Sequence, residues 1–354
     1  MAAVPFKVSV LMITYNHEKY IAQAVNSVLM QETNFAYDLV IGEDCSTDDT
    51  LEILIGLAAR HPEKIKLLKT EKNLGPGQNF VRTFEACRGQ YISLLEGDDF
   101  WTVPHKLQKQ ADFLDNHPEC TVCFSNTAVV SEDGCATIRL AERPGQKEIS
   151  TIEDLVQQNF TVTCSVMLRS GFVHEFPEWW FRLTNTDWLL QIFHAQYGKI
   201  GYIPEVMAAH RKHPGGIWTR LDDVELLQAR TMGYEMINRH LGYRYDDLIR
   251  PHLSKHWENL GVVLAERGYH LARQDEKIDN VLKIFTHWPE DLPLPDRWKK
   301  GILARIYERL LVESYLEGNL QVTKYCCRKL IQYRPSRFKS RFLLTIYLKT
   351  QLSI

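Results

Sequence analysis

The chain has 354 residues, enough for two or three domains with a substantial core. Its composition, 45% hydrophobic, 24% charged and 11% aromatic, is that of an ordinary soluble globular protein. A formal net charge of −2 argues against a dedicated nucleic-acid binder, and no apolar run approaches the roughly 20 residues that span a bilayer. Met1 to Lys7 lacks the basic start and apolar core of a secretory signal, so a cytoplasmic location is expected. Among eight scattered cysteines, Cys120 and Cys123 form a C-x-x-C with no second pair to complete a zinc site. They read as reduced thiols packed within a strand.

Over the first 130 residues strands and helices alternate with short connections. Val8 to Ile13 reads as a strand, and Lys19 to Met30 carries helical spacing through Ile21, Val25, Val28 and Leu29. Asp38 to Gly42 is a second strand, and Asp49 to Ala59 a helix started by the Ser/Thr/Asp cluster before it. Lys64 to Lys69 is a third strand, Asn79 to Cys87 a helix and Tyr91 to Leu95 a fourth strand. Lys106 to Asn116 is a helix that stops before Pro118. Such alternation predicts a mostly parallel, doubly wound sheet whose ligands sit beyond the carboxyl ends of the strands. Ile152 to Gln158 and Asp187 to Gln196 then read as helices, and Val162 to Leu168 and Ile200 to Ala208 as strands. Beyond Arg220 the pattern is helical, with Ala304 to Leu316, Gly318-Asn319 and Val322 to Tyr333 making a helical hairpin.

Three polar clusters fall after strands on one edge of that sheet. They are Thr14-Tyr15-Asn16-His17, Glu43-Asp44-Cys45-Ser46 and Glu96-Gly97-Asp98-Asp99. Each alone reads as a cap or turn; their shared placement favours a site. Three carboxylates closing a buried strand put costly charge at the edge of a core, which a divalent cation such as Mg²⁺ or Mn²⁺ would neutralise. The glycine between them permits a turn and a close approach.

These segments carry a family resemblance. Val10-Leu-Met-Ile-Thr-Tyr-Asn16, Val40-Ile-Gly-Glu-Asp-Cys-Ser-Thr-Asp-Asp-Thr50 and Leu95-Glu-Gly-Asp-Asp-Phe-Trp101 occur in order. Asn185-Thr-Asp-Trp-Leu189 and Met207-Ala-Ala-His-Arg-Lys-His-Pro-Gly-Gly-Ile-Trp218 follow. The set resembles the nucleotide-sugar glycosyltransferases of family 2, which have the GT-A fold, over about residues 6 to 219. The resemblance implies that Thr14, Tyr15 and Asn16 line a nucleotide slot and that Asp44 contacts the base. It places Glu96, Gly97 and Asp98 on the family's metal-binding Asp-x-Asp, with a glutamate where the family has aspartate. Asp98 is the preferred metal ligand and Asp99 the second. His213 matches the family histidine near the donor phosphates, with His210 a weaker candidate and Arg211, Lys212, Gly215 and Gly216 suggesting an anion-facing loop.

Asp187 is the candidate catalytic base, with helix capping as the compatible competing role. Ser46 and Asp48 read as helix caps rather than donor contacts. Trp179, Trp180, Phe181 and Trp218 suit either sugar stacking or core packing, and the role of Thr163, Cys164 and Ser165 is open.

The expected organisation is therefore an α/β GT-A domain over 1–219, Rossmann-like with flanking helices, and an all-helical region over 220–354. From Leu320 onward there are eight Lys or Arg and no Asp or Glu. Arg337 to Ile354 is thus a basic amphipathic end that suits either helix packing or peripheral contact with an anionic membrane face. The resemblance implies an inverting, metal-dependent transferase of the hexosyltransferase type. It would move sugar from a nucleotide-diphosphate donor to a glycan or lipid-linked hydroxyl acceptor in cell-envelope synthesis. A sugar-nucleotide forming enzyme would show a glycine- and arginine-rich loop after the first strand, and this chain has Thr14-Tyr15-Asn16-His17 there. A non-catalytic GT-A-like glycan or protein interaction module is the remaining alternative.

Overall fold

The computed structural model of the chain describes residues 6–141, 143–184, 186–274 and 296–352. They form two compact units, one of residues 6–220 and 233–249, the other of residues 221–232 and 250–352.

The first unit is built on one mixed sheet. Its strands are β1 (Val8–Thr14), β2 (Tyr37–Glu43), β3 (Ile65–Leu68), β4 (Tyr91–Glu96), β5 (Phe100–Trp101), β6 (Cys120–Val130), β7 (Thr137–Leu140), β8 (Ile149–Ser150), β9 (Val166–Arg169) and β10 (Lys199–Arg211). The order is β3-β2-β1-β4-β9-β6-β10-β5, with β7 on β6 and β8 on β10. The β3-β2-β1-β4 part is parallel. Its strands are apolar runs, and β2 is buried along its whole length, as expected where helices cover both faces. Beyond β4 the sheet changes character: β9 is antiparallel to both β4 and β6, while β6 and β10 run parallel.

The helices that connect this sheet are α1 (Ile21–Leu29), α2 (Thr50–Arg60), α3 (Pro76–Ala86), α4 (Lys106–Asn116), α5 (Ile152–Gln157), α6 (Thr186–Ala195) and α7 (Ile217–Arg220). The core between them contains Val10, Met12, Ile21, Val25, Leu39, Ile41, Leu54, Leu95, Leu107 and Leu114. Capping chemistry is clearest at α5, where Thr151 and Asp154 form a reciprocal capping box.

Two local readings of the sequence change. The Cys120–Phe124 segment, which reads as a strand with period two, is the start of an eleven-residue strand buried on both faces, so the expected alternation is absent. The Val162–Leu168 strand begins instead with a 3₁₀ turn at Thr163–Ser165, and β9 starts only at Val166. Both the amide and the hydroxyl of Ser165 donate to the Val162 carbonyl, at 2.9 and 2.6 Å, and this local bond competes with the ladder.

Two longer helices follow, α8 (Asp223–His240) and α9 (Asp246–Gln274). The second unit takes residues from both, with α10 (Asp296–Leu316), α11 (Leu320–Tyr333) and α12 (Arg341–Leu352). The α10–α11 hairpin turns at Gly318, with φ +76°, and Asn319 caps α11 by accepting from the Val322 amide at 3.2 Å. Its core joins Trp257, Leu260, Leu264, Leu303, Tyr307, Leu311, Cys326, Cys327 and Leu330 to Leu343 and Ile346 of α12. Phe342, Leu344 and Leu348 stay exposed, and Arg337 is bound through two nitrogens by Glu308. Ser353 and Ile354 of the basic end lie outside the described residues.

Candidate active site

The carboxyl ends of β1 and β2 are tied together by their own loops. Asn16 and Cys45 both adopt positive φ, 56° and 58°, an uncommon conformation for residues other than glycine. The Asn16 amide donates to Ser46 Oγ at 3.0 Å, and Asn16 Oδ1 accepts from the Thr47 amide at 2.8 Å. Buried Glu43 accepts from the amides of Cys45 and Ser46, bending the loop back on its strand. Asp48 accepts from the Thr50 amide and hydroxyl at the start of α2 and from the Glu18 amide, a structural role. Ser46 instead clamps Asn16.

Asp44 is buried, with one oxygen accepting from the Leu74 amide at 2.8 Å and the other from Gly75 at 2.9 Å. Burial raises its carboxyl above the usual range, against the pull of those amides. The carboxylate thus holds the 73–75 loop beside the slot.

The acidic turn after β4 is pinned from the opposite strand. Phe100 and Trp101 pair with Ala209 and Ala208 of β10. The buried Arg211 fixes the turn further: its amide donates to Asp99 Oδ1 and its Nε to the Asp98 carbonyl, both at 2.8 Å. The same guanidinium donates to the Glu132 carbonyl and Gln23 Oε1 and lies over the rings of Tyr20 and Phe100. Arg211 is therefore consumed in structure, not turned toward an anion as the sequence suggested. Asp99, only 3% exposed, also meets His210 Nδ1 at 3.1 Å, and its charge raises the His210 pKa.

Asp98 faces the other way. Its Oδ2 lies 3.0 Å from His213 Nε2 and 3.7 Å from His17 Nε2. Burial pushes the Asp98 carboxyl up, but the His213 hydrogen bond and the two imidazoles outweigh it and hold it below the usual range. His17 is itself placed by Thr14 Oγ1, 3.1 Å from its Nδ1. A Cβ on Gly97 would come within 2.5 Å of Thr14 Oγ1 and 2.9 Å of His17 Nδ1, so the glycine serves the close packing of the β1 and β4 ends.

Glu96 is the strained member. Its Oε2 is buried without a hydrogen-bond partner. Burial, followed by the charges of Asp99, Asp98 and Asp187, holds its carboxyl well above the usual range.

Thr14, Tyr15, Asn16, Asp44, Glu96, Asp98 and His213 converge on one cavity of about 690 Å³. Gly97 and Asp99 lie behind its wall. Sequence reasoning missed His17, Tyr20 and Arg220, which also line it; His17 was legible as the last residue of the first polar cluster. A second, small cavity of about 50 Å³ holds Asp187 and Thr163 and shares Ile13 and Glu96 with the first. Asp187 sits in the first turn of α6, and its Oδ2 accepts from Thr163 Oγ1 at 3.2 Å. Burial raises its carboxyl, opposed by the Trp188 amide and Thr163. Asn185, which opens the motif around it, lies outside the described residues. Among the aromatics, Trp180 is fully buried against Phe80, Phe176 and Phe193, a packing role, whereas Phe181 and Trp218 are exposed.

The cavity lies at the carboxyl ends of the parallel strands, where doubly wound sheets bind their ligands, and is lined by several carboxylates. Residues 9–175 match the family model described as Glycosyl transferase family 2. The chain belongs to this family and is a glycosyltransferase. An uncharacterized protein of Mycobacterium tuberculosis is 37% identical over 331 residues, covering 91% of each chain. The putative teichuronic acid biosynthesis glycosyltransferase TuaG of Bacillus subtilis is 30% identical over 161 residues, 46% of this chain and 61% of that one. Among solved structures, Staphylococcus aureus TarS residues 1–349 in complex with UDP-GlcNAc is similar with a TM-score of 0.52. That match covers 93% of this chain and 92% of TarS 1–349 at 18% identity.

Proposed function

We propose that the chain transfers a hexosyl group, with inversion, from a nucleotide-diphosphate sugar to a hydroxyl acceptor of cell-envelope polysaccharide or glycolipid synthesis. The observation that carries the reading is the orphaned, buried Glu96 oxygen among the carboxylates where the two cavities meet. An unpartnered buried oxygen beside Asp98, Asp99 and Asp187 is costly unless the bound state brings it a partner or compensating positive charge. TuaG, by its name, acts in the synthesis of teichuronic acid, which supports the envelope assignment.

In this reading the nucleotide lies against Thr14, Tyr15 and Asn16, with Asp44 at the floor of the slot. The residues at the acidic turn fit a divalent cation, Mn²⁺ or Mg²⁺: Asp98 is ionised and half-buried, with His213 beside it. No set of three or more His, Cys, Asp or Glu among the described residues is arranged to hold a metal ion. Two protein ligands are what a cation also held by diphosphate oxygens and water requires. Asp99 would join the shell only by giving up Arg211 and His210. A cation bound there would stabilise negative charge on the leaving diphosphate.

The remaining chemistry falls to this chain's own side chains. Asp187 takes the proton of the acceptor hydroxyl as its oxygen attacks the anomeric carbon, and the bond from that carbon to the diphosphate breaks on the opposite face. Burial, by raising its proton affinity, makes ionised Asp187 the better base. Thr163 orients its carboxylate, and the Glu96–Ile13 wall directs attack between the two cavities. Arg220 and the imidazoles of His17 and His213 line the same cavity and would meet phosphate oxygens there. No helix among the described residues is long and apolar enough to cross a membrane. The proposed place of work is the cytoplasm, at the inner membrane face, with peripheral contact through 337–354.

The test is donor turnover and donor binding in Asp187→Asn and Asp98→Asn. Asp187→Asn should lower kcat by about 10²–10⁴-fold at nearly unchanged donor affinity, and Asp98→Asn should weaken metal-dependent donor binding. Undiminished transfer in either variant would refute its assigned role, and transfer by neither variant nor wild type would favour a binding module.

A further inference from the structure

The helical unit contains a cavity of its own, of about 650 Å³, remote in sequence from every residue of the transfer site. Positions 297, 298, 301, 302 and 305 of α10 supply one wall at helical spacing, and Tyr333 and Arg334 at the end of α11 supply another. Four cationic side chains line it: Arg297, Lys300, Arg305 and Arg334. Among the described residues no acidic side chain does. Glu258 reaches Arg305 at 3.9 Å with both side chains largely exposed, a weak pair. Arg297, Lys300 and Arg334 have no ion-pair partner among the described residues. Like charges gathered in one concavity repel each other and focus a positive potential into it.

The cavity also has rigid aromatic walls. Trp298 is stacked on Trp257, with ring centroids 6.1 Å apart and planes 20° apart. Tyr333 is stacked on Tyr307 at 5.8 Å and 10°. A Cβ on Gly301 would meet nothing within 4 Å, so this glycine leaves open the face of α10 between Trp298 and Ile302. The volume lies in the range that encloses a small ligand or a short stretch of polymer, about 300–1,000 Å³.

We propose that this cavity binds a phosphate-bearing sugar or polyol chain, its phosphate held by the arginines and lysine and its ring or carbon backbone laid on Trp298 and Tyr333. Guanidinium forks match phosphate oxygens in pairs, and four cations exceed what one carboxylate needs. The flat faces of Trp298 and Tyr333 supply apolar contact that a free inorganic anion does not use. The phosphate is that of the phosphodiester repeat of an anionic glycan, and binding of a lipid headgroup alone is an outcome that overturns this assignment. Binding here is read without donor or turnover, so its failure is distinguishable from failure of the transfer reading.

The experiment is calorimetric titration of the full-length protein with a synthetic glycerol-phosphate hexamer. Neutral maltohexaose and vesicles containing phosphatidylglycerol serve as parallel arms. The expected result is saturable 1:1 binding of the hexamer and none of maltohexaose. Affinity should fall at least 10-fold in the Lys300→Glu/Arg334→Glu variant at preserved melting temperature, and fall again in Trp298→Ala, with recovery in Trp298→Phe. Asp98→Asn should leave hexamer binding unchanged. Two results would each overturn the proposal: no hexamer binding, whether or not the vesicles bind, or hexamer binding indifferent to the charge reversals.

Discussion

Lys106 offers the sharpest physical test of the transferase unit. It is completely buried at the start of α4, with its Nζ 3.1 Å from Ser93 Oγ, 2.6 Å from Gln110 Oε1 and 4.3 Å from the centroid of Trp101. Burial lowers its pKa from 10.5 to about 7, opposed only by Cys164 and Cys123. The folded protein therefore binds fewer protons at this site than the unfolded chain between pH 7 and 10.5, and its stability rises with pH across that window. At roughly 1.36 kcal/mol per pH unit the full gap is worth about 5 kcal/mol, and the rise between pH 7 and 9 is about 2 kcal/mol. Lys106→Met keeps the volume and removes the titration, at the cost of two hydrogen bonds. Urea unfolding of both proteins from pH 6 to 9 isolates the effect, because other thiols and tyrosines titrate equally in each. The wild-type stability minus that of the variant should climb by about 2 kcal/mol from pH 7 to 9. A difference that stays flat across that range would refute a buried, proton-poor Lys106.

Other expectations concern the site directly. Gly97→Ala must displace Thr14 or His17, given the 2.5 Å approach to Thr14 Oγ1. It should cost about 1–3 kcal/mol in unfolding free energy and weaken donor binding; a neutral variant would show that the β1–β4 junction yields easily. Thr163→Val removes the hydroxyl that meets Asp187 at 3.2 Å. It should lower kcat by about 10-fold while donor KM stays within a factor of two, on the order of one hydrogen bond to a charged group. A change in KM alone would place Thr163 in donor binding instead. Removing residues 337–354 should move the protein from membrane to soluble fractions if the basic end is the anchor. Because Arg337 is engaged by Glu308 and Leu343 and Ile346 are core, circular dichroism must first show the truncated chain folded. An unchanged distribution of a folded truncation ends the anchoring idea.

Much of this protein was legible in the chain itself. The apolar runs Val8–Ile13, Asp38–Gly42 and Tyr91–Leu95 specify strands by burial alone, and the polar residues after them had to fall on one sheet edge because the connections are crossovers. The sequence thereby determined that Thr14, Asp44 and Glu96 would be neighbours. It could not determine which way each side chain turns. Asp98 and Asp99 are adjacent and chemically alike, yet one faces the cavity with His213 and the other is locked behind it by Arg211 and His210. That choice depends on β10, more than a hundred residues away, pairing with Phe100 and Trp101. Likewise, the chain shows Glu96 only as a glutamate where the family has aspartate, and only the folded structure buries one of its oxygens without a partner among the charges of Asp99, Asp98 and Asp187. Local pattern fixes which residues arrive at an edge, because burial and chain connectivity are local or nearly so. Orientation and charge state are sums over long-range neighbours, and those exist only once the tertiary structure has closed.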